Sequence, residues 1–406
     1  MEKNIEISTE EYFQDQGRYH IIDIRKEDDF TYGSLPGSVN IPENQLLSLV
    51  NGENENRESI AKRLYGYFEP SNDCNKPFLL VCRVGRESLP IAEKMNEFGI
   101  EAFSLQGGYA DFVLKDAMLL DKNSGFSKEN DFRQKIETDL ITRYRKPIWS
   151  RFTKAVNDYE LIHEGDTVAC CMSGGKDSFL MAKLLQELSR HSKVNFHVIY
   201  LCMDPGYAPE NRALIEKNAE NLGIDIQIFE SDIFDNVFHI EKNPCYICAR
   251  MRRGYLYRAA KERGANKIAL GHHYDDVIET ILMGMLYGGQ FQTMMPKLHS
   301  NNFEGMELIR PLYLIREDDI KKWRDDNGLH FLRCACHFTD TCSVDGGDTS
   351  SKRIETKRLI RELKKTNPFV EKNIFKSAEN VNLKTIIAYK ENGTKHSFLD
   401  DYDAEA

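Results

Sequence analysis

The chain has 406 residues, 41% of them hydrophobic and 29% charged, with a formal net charge of −10; that length exceeds one ordinary core and predicts two or more domains of a soluble globular protein. No stretch approaches eighteen uninterrupted apolar residues, and the start MEKNIEISTEEYF lacks the apolar core of a signal peptide, so no membrane partner and a cytoplasmic location are expected. Ten cysteines in a reducing compartment point to thiol chemistry or metal ligation rather than disulfides.

In chain order, HIIDIR predicts a strand, KPFLLVCRVG a strand entering a loop, and EAFSLQGGYADF a strand, a turn and a helix start. Polar residues 121–140 predict a linker leading into a helix. A second alternating series follows: strand TVACCM, helix DSFLMAKLLQELSRH, strand FHVIYL, helix ENRALIEKNAENLG, and strands DIQIFE and KIALG. Such alternation implies a parallel sheet covered on both faces, with ligands at the carboxyl ends of its strands. The last 60 residues read as helical and then fray into an acidic tail. Residues 1–120 carry 12 Lys and Arg against 21 Asp and Glu, a net of −9, whereas residues 121–396 carry 42 against 39, a net of +3. A mildly basic body beside an acidic accessory domain is compatible with an RNA partner without demanding one.

Between strand TVACCM and the following helix lies SGGKDS, residues 173–178. The common P-loop needs four residues between its first glycine and Gly-Lys-Ser/Thr, and here there is no spacer. The chemistry is nevertheless that of an anion cradle. Gly174 and Gly175 let the backbone approach a phosphate, the helix amino terminus adds its dipole, Lys176 adds a full charge, and Ser173 and Ser178 offer hydroxyls. At the end of another strand, ALGHHYDDVIET supplies Gly271, His272, His273, Asp275 and Asp276, a carboxylate pair able to hold Mg2+ against nucleotide phosphates. Asp204 closes a third strand and is a candidate for the nucleotide pocket.

The run SGGKDS resembles the signature of the PP-loop ATP pyrophosphatase family. The resemblance implies a doubly wound, adenine nucleotide α-hydrolase-like domain that splits ATP between its α and β phosphates and transfers AMP to a carbonyl oxygen. A nitrogen or sulfur nucleophile then displaces that oxygen. Lys176 and Asp177 would be catalytic, and Ser173, Gly174, Gly175, Ser178, Asp204, Gly271, His272, Asp275 and Asp276 would bind ATP.

NPCYICARMRRGYLY contains a Cys-x-x-Cys, Cys245 and Cys248, whose spacing suits zinc, an iron–sulfur cluster or a redox disulfide. Downstream, FLRCACHFTDTC adds Cys334, Cys336, His337 and Cys342, which keeps zinc open. The series CxxC, RRGYLY, ALGHHYDD and IRPLYLIREDDI resembles the tRNA 2-thiocytidine synthetase branch of the PP-loop family. That resemblance implies a 4Fe-4S cluster held by Cys245, Cys248 and Cys334, one iron remaining free to bind sulfur, with tRNA as partner. The chain departs from the branch in having Cys-Ala-Cys where Cys-x-x-Cys is usual, which leaves Cys336 or Cys342 as a substitute ligand or sulfur relay. Cys74, Cys170, Cys171 and Cys202 read as core or strand residues. Arg252, Arg253, Lys352, Arg353, Lys357 and Arg358 are candidates for phosphate contacts, against the plainer expectation of a solvated helix face.

A second, independent signature lies near the amino terminus. IIDIRKEDDFTYGSLPGSVNIP and VCRVGRES resemble the rhodanese domain, with Cys82 opening the active loop. The loop residues Cys82, Arg83, Gly85, Arg86 and Ser88 would surround the sulfur with backbone N–H groups and positive charge, which depresses a thiol pKa and stabilises a persulfide. A phosphatase loop would need Arg at position 88, which is Ser88. The resemblances imply a rhodanese-like sulfur carrier over 1–118, a linker and entry helix over 119–144, a PP-loop thiolation domain over 145–345 and a helical carboxyl-terminal segment with an acidic tail over 346–406. Together they imply an ATP-dependent tRNA sulfurtransferase that loads Cys82 from a persulfide donor such as a cysteine desulfurase, relays sulfur through the cluster and thiolates the cytidine at position 32. A homodimer is one assembly this reading allows. The competing readings are transfer to another tRNA base or a small molecule, a nitrogen-transferring ligase, and a non-catalytic iron–sulfur module.

Overall fold

The computed structural model describes residues 5–50, 57–68, 76–123, 129–231, 244–331, 348–391, 393–400 and 402. Two parallel sheets organise it. The first takes β1 (Glu6–Ile7), β2 (His20–Asp23), β3 (Val39–Asn40), β4 (Phe78–Val81) and β5 (Ala102–Leu105) in the order β1-β5-β4-β2-β3, all parallel. Its central strands HIID, FLLV and AFSL are buried at every position, as a sheet covered on both faces requires. The helices on those faces are α1 (Thr9–Gln14), α2 (Glu27–Tyr32), α3 (Glu43–Val50), α4 (Arg57–Tyr65), α5 (Ser88–Glu97) and α6 (Gly108–Asn123).

The expected linker is largely helical. Helix α6 runs on to Asn123, and α7 (Glu129–Ile141) follows with Phe132, Ile136 and Leu140 buried in the second core. The four-residue spacing of those three apolar residues was masked by the polar composition around them. After α8 (Ser150–Asp158), the second sheet is built from β6 (Thr167–Met172), β7 (His197–Asp204), β8 (Ile226–Glu230), β9 (Lys267–Ala269), β10 (Lys297–His299) and β11 (Glu307–Ile309). Their order is β10-β11-β9-β6-β7-β8, parallel except for β10 at one edge. The intervening helices are α9 (Lys176–His191), α10 (Pro209–Leu222), α11 (Pro244–Glu262), α12 (Tyr274–Gly288) and α13 (Glu317–Asp326). The chain leaves β6 towards β7 on one side and returns through β9 on the other, so the strand order reverses between β6 and β9. In a doubly wound sheet that reversal opens the ligand crevice.

Helices α14 (Asp348–Thr366) and α15 (Val370–Glu379) pack on α12. An antiparallel hairpin, β12 (Ala388–Glu391) with β13 (Thr394–Ser397), then forms where the sequence had suggested only a fraying tail. The two domains dock through α6 and α10: Leu214 of α10 is buried among Phe112, Val113 and Ala117 of α6, and Asn221 Nδ2 donates to the Ala117 carbonyl at 3.0 Å. His330 and Asp116 pair across the same contact at 2.8 Å. Among the described residues no helix is long and apolar enough to cross a membrane.

Candidate functional site: a nucleotide crevice and a cysteine loop

The crevice is built from the loops that leave β6 and β9. Gly175, extended at φ −87°, is the amino-terminal cap of α9 and provides no side-chain cap, so the first N–H groups of that helix stay available to an anion. Gly174 turns the chain at φ +81°. The Ser178 hydroxyl accepts from the Ser173 N–H at 3.2 Å and donates to the Gly175 carbonyl at 2.9 Å, which fixes the loop on itself. Gly271 enters from the β9 side; a Cβ there would lie 3.3 Å from both the carbonyl carbon of Asp177 and the N of Ser178. A side chain there would push the two loops apart by a few tenths of an ångström.

A cavity of about 260 Å³ opens at this junction, lined by Ser173, Asp177, Ser178, Met203, Arg252 and His272 among others. Two of its polar atoms, Asp177 Oδ1 and His272 Nδ1, are buried with no hydrogen-bond partner among the described residues. Buried polar atoms are nearly always satisfied, so a pair facing one cavity marks a place where a ligand or water completes the bonding. Burial pushes the His272 imidazole down to about 4, against the pull of Asp276, so it is neutral at physiological pH.

Lys176 is 3% exposed; its Nζ lies 3.0 Å from Asp177 Oδ2 and 3.5 Å from Glu317 Oε1. Burial alone would raise the Glu317 carboxyl, but Lys176, Lys357 and Lys321 hold it well below the usual carboxylate range. The Asp275–Asp276 pair is differently engaged from the expected open metal site. Asp275 accepts from Arg316 Nη2 at 2.9 Å and from the Glu317 N–H at 2.7 Å. Asp276 accepts from Arg353 Nη2 at 2.6 Å and from the His273 N–H at 3.0 Å. Of these three aspartates, Asp177 is the one with an oxygen that has no hydrogen-bond partner among the described residues, the His273 Nε2 lying 4.0 Å from it. Asp204 stands at the end of β7 as expected, yet it caps its own turn, accepting from the Gly206 and Tyr207 N–H groups at 2.8 and 2.7 Å and pairing with Arg212 at 3.1 Å. Its neighbours Met203 and Tyr207 line the cavity in its place.

The sequence reading missed Arg316, Glu317 and the inward role of α14. Arg353 and Lys357, candidates for phosphate contacts, face Asp276, Glu279 and Glu317. The run IREDDI carried a visible signal for Arg316 and Glu317; nothing local marked Arg353, which meets Asp276 across 77 residues. Cys245 and Cys248 fall near the start of α11, three residues apart, and Arg252 and Leu256 of that helix line the crevice. The side chains of Cys245 and Cys248, and the whole of Cys334, Cys336, His337, Cys342 and Cys74, lie outside the described residues. Cys170, Cys171 and Cys202 are buried free thiols of the core, as expected.

In the amino-terminal domain, Cys82 Sγ accepts from the Gly85 N–H at 3.1 Å and the Ser88 hydroxyl at 3.2 Å. Ser88 is itself held by Ser104 at 2.8 Å. Pro90 sits within the first turn of α5, where its missing N–H costs no helical bond. The expected fall in the thiol pKa is not met. Burial pushes Cys82 up and Glu87 adds to the rise, against the hydrogen bonds from Ser88. Arg86, one of the two charges invoked, is exposed to solvent.

The folds and these two sites define a PP-loop nucleotide-binding domain joined to a rhodanese-like domain. Family profiles agree: a PP-loop domain matches residues 145–336 and a rhodanese-like domain residues 10–115. The chain is 36% identical over 247 residues to a tRNA-cytidine(32) 2-sulfurtransferase of Vibrio cholerae serotype O1 (strain M66-2), covering 59% of this chain and 76% of that one. It is 37% identical over 250 residues to the protein of the same name from Methylobacillus flagellatus, covering 60% and 78%. Among solved structures, the U34-tRNA thiolase NcsA from Methanococcus maripaludis with its 4Fe-4S cluster aligns at 24% identity and a TM-score of 0.45, over 64% of this chain and 82% of that chain. The chain belongs to the PP-loop family, in the branch of the tRNA-cytidine(32) 2-sulfurtransferases, and carries a rhodanese-like domain at its amino terminus.

Proposed function

We propose that the chain uses ATP to exchange oxygen for sulfur on a tRNA base, C2 of the cytidine at position 32 being the acceptor that its relatives' names give. The observation that carries this reading is the convergence of three elements on one crevice: the SGGKDS loop, the Gly271–His272 loop and the helix that begins with Cys245 and Cys248. Cys248 precedes Arg252 by one turn of α11, about 6 Å of helix axis.

The α9 amino terminus and Lys176 hold the ATP phosphates, and Asp177 Oδ1 is the open acceptor for Mg2+. The base carbonyl oxygen attacks the α-phosphorus, pyrophosphate leaves, and the oxygen becomes a leaving group as part of AMP. Neutral His272 offers a hydrogen-bonding nitrogen to the base or the nucleotide. Cys245, Cys248 and Cys334 would hold a 4Fe-4S cluster, which when bound supplies an open iron for a sulfur ligand. Their chemistry fits the group: three cysteines, two of them spaced along one helix beside the crevice. Cys82 carries sulfur as a persulfide, with the Gly85 N–H and Ser88 hydroxyl as donors to the anion.

Nucleosides of total tRNA, compared by mass spectrometry between the source strain and a deletion of this gene, test the acceptor. Loss of 2-thiocytidine supports it, and an unchanged profile sinks it. For the carrier, Cys82→Ser is expected to slow thiolation at least tenfold with a persulfide donor while leaving the rate with free sulfide within about twofold. An equal loss with both donors would remove Cys82 from the relay.

A further inference from the structure

We propose that the rhodanese-like domain completes the nucleotide site: Tyr32 positions Lys176, so ATP binding depends on the docked amino-terminal domain. This rests on the reading of SGGKDS as the nucleotide loop. The Tyr32 ring centroid lies 5.4 Å from Lys176 Nζ and 5.6 Å from the Arg324 guanidinium, so the ring faces two cations. Arg324 also donates to the Tyr32 carbonyl, which fixes the residue to α13 of the PP-loop domain. Among the described residues the ionic partners of Lys176 are Asp177 and Glu317, both carboxylates of its own domain. An aromatic face holds an ammonium without adding a full negative charge, and it excludes water from one side of it. That keeps Lys176 desolvated and oriented before a phosphate arrives, and ordering it in advance reduces what binding must supply.

Tyr32 is also tied back to the cysteine loop. The next carbonyl, Gly33 O, accepts from Arg25 Nη2 at 2.7 Å, and Arg25 is paired with fully buried Asp23 at 2.6 Å. The same guanidinium lies 3.7 Å from the centroid of the Tyr109 ring, and the Tyr109 N–H donates to the Cys82 carbonyl at 2.9 Å. A Cβ on Gly33 would collide with the Tyr109 hydroxyl, so the loop is seated against that ring. A contiguous set of contacts therefore runs from the Cys82 loop through Tyr109, Arg25 and Gly33 to Tyr32 and Lys176. Tyr32 is a positioning residue in this scheme; it acts on the nucleotide through Lys176.

The test uses the full chain with Tyr32→Ala, Tyr32→Leu and Tyr32→Phe. Each is titrated with α,β-methylene ATP and assayed with tRNA and free sulfide, which bypasses Cys82. Tyr32→Ala and Tyr32→Leu are expected to weaken analogue binding about tenfold. KM for ATP should rise in step while kcat stays near wild type, the pattern of lost ground-state binding. Tyr32→Phe, which keeps the ring, should stay within about twofold in both. Calorimetry reports whether the domains remain docked. Unchanged affinity in Tyr32→Leu, or a Phe variant as weak as Ala, would overturn the proposal. If the wild type binds the analogue but thiolates no tRNA, the acceptor reading fails, and the affinity series still decides the role of Tyr32.

Discussion

At the scale of single residues, burial keeps one histidine of the crevice neutral. The unfolded chain titrates His272 near its ordinary 6.5, while burial brings the folded value to about 4. A depressed histidine contributes stability that is present above the unfolded pKa and lost as pH falls towards the folded one, because only the unfolded chain takes up the proton in that window. The difference corresponds to at most about 3.5 kcal/mol between pH 6.5 and 4, on the rule of about 1.4 kcal/mol per pKa unit. Urea unfolding of wild type and His272→Asn at pH 7 and pH 4.5 measures it, Asp276 being the carboxylate that responds to the change at His272. The wild type should lose more stability than the variant, and parallel losses would show that His272 is hydrated enough to titrate normally. Cys82 teaches the complementary lesson. Its loop residues were legible in the sequence, but the balance between burial, Glu87 and the donors around Sγ was not, because it depends on how deeply the loop is seated.

Among elements, helix α14 acts as a latch on the acidic rim of the crevice. Arg353 bridges Asp276 and Glu279 at 2.6 and 2.8 Å, and Lys357 reaches Glu317 at 3.3 Å. Glu279 is 2% exposed, and its burial outweighs Lys357 and Arg353 to push its carboxyl up. Arg353→Met leaves that carboxylate with one weaker partner and is expected to cost about 1–3 kcal/mol, discounted for the partial exposure of Arg353. Glu279→Gln needs no counter-ion and should cost less than the Arg353→Met change, and the double variant should be more stable than the sum of the two predicts. A chemical denaturation cycle decides it; simple additivity would mean the pair carries no coupling. The elements were legible to very different degrees. Strands such as TVACCM and FLLV announce themselves because a sheet covered on both faces demands continuous apolar runs. The terminal hairpin escaped because its strands AYKE and TKHS are mostly polar, although Asn392-Gly393 is a strong turn signal. The latch escaped for a different reason: its partners are far apart in sequence and share no period.

For the whole molecule, the decisive contact is the one that no motif encodes, between α6 and α10. Leu214 belongs to the PP-loop domain but is 2% exposed within the apolar cluster of the rhodanese-like domain. Leu214→Asp would bury an unpaired carboxylate there, and relieving it requires the domains to part. Calorimetry of the full chain should then change from a single transition to two, each domain keeping its own core. If Tyr32 is the bridge to Lys176, undocking at this helix pair must also lower affinity for α,β-methylene ATP by about the same tenfold as Tyr32→Ala. Cys82→Ser leaves α6 and α10 in place and should change neither the number of transitions nor the affinity. Two transitions with undiminished nucleotide binding would show that the PP-loop domain sets Lys176 by itself, with Asp177 and Glu317 sufficient. A parallel loss would make the rhodanese-like domain a structural part of the nucleotide site, so that ATP is held well only when that domain is docked.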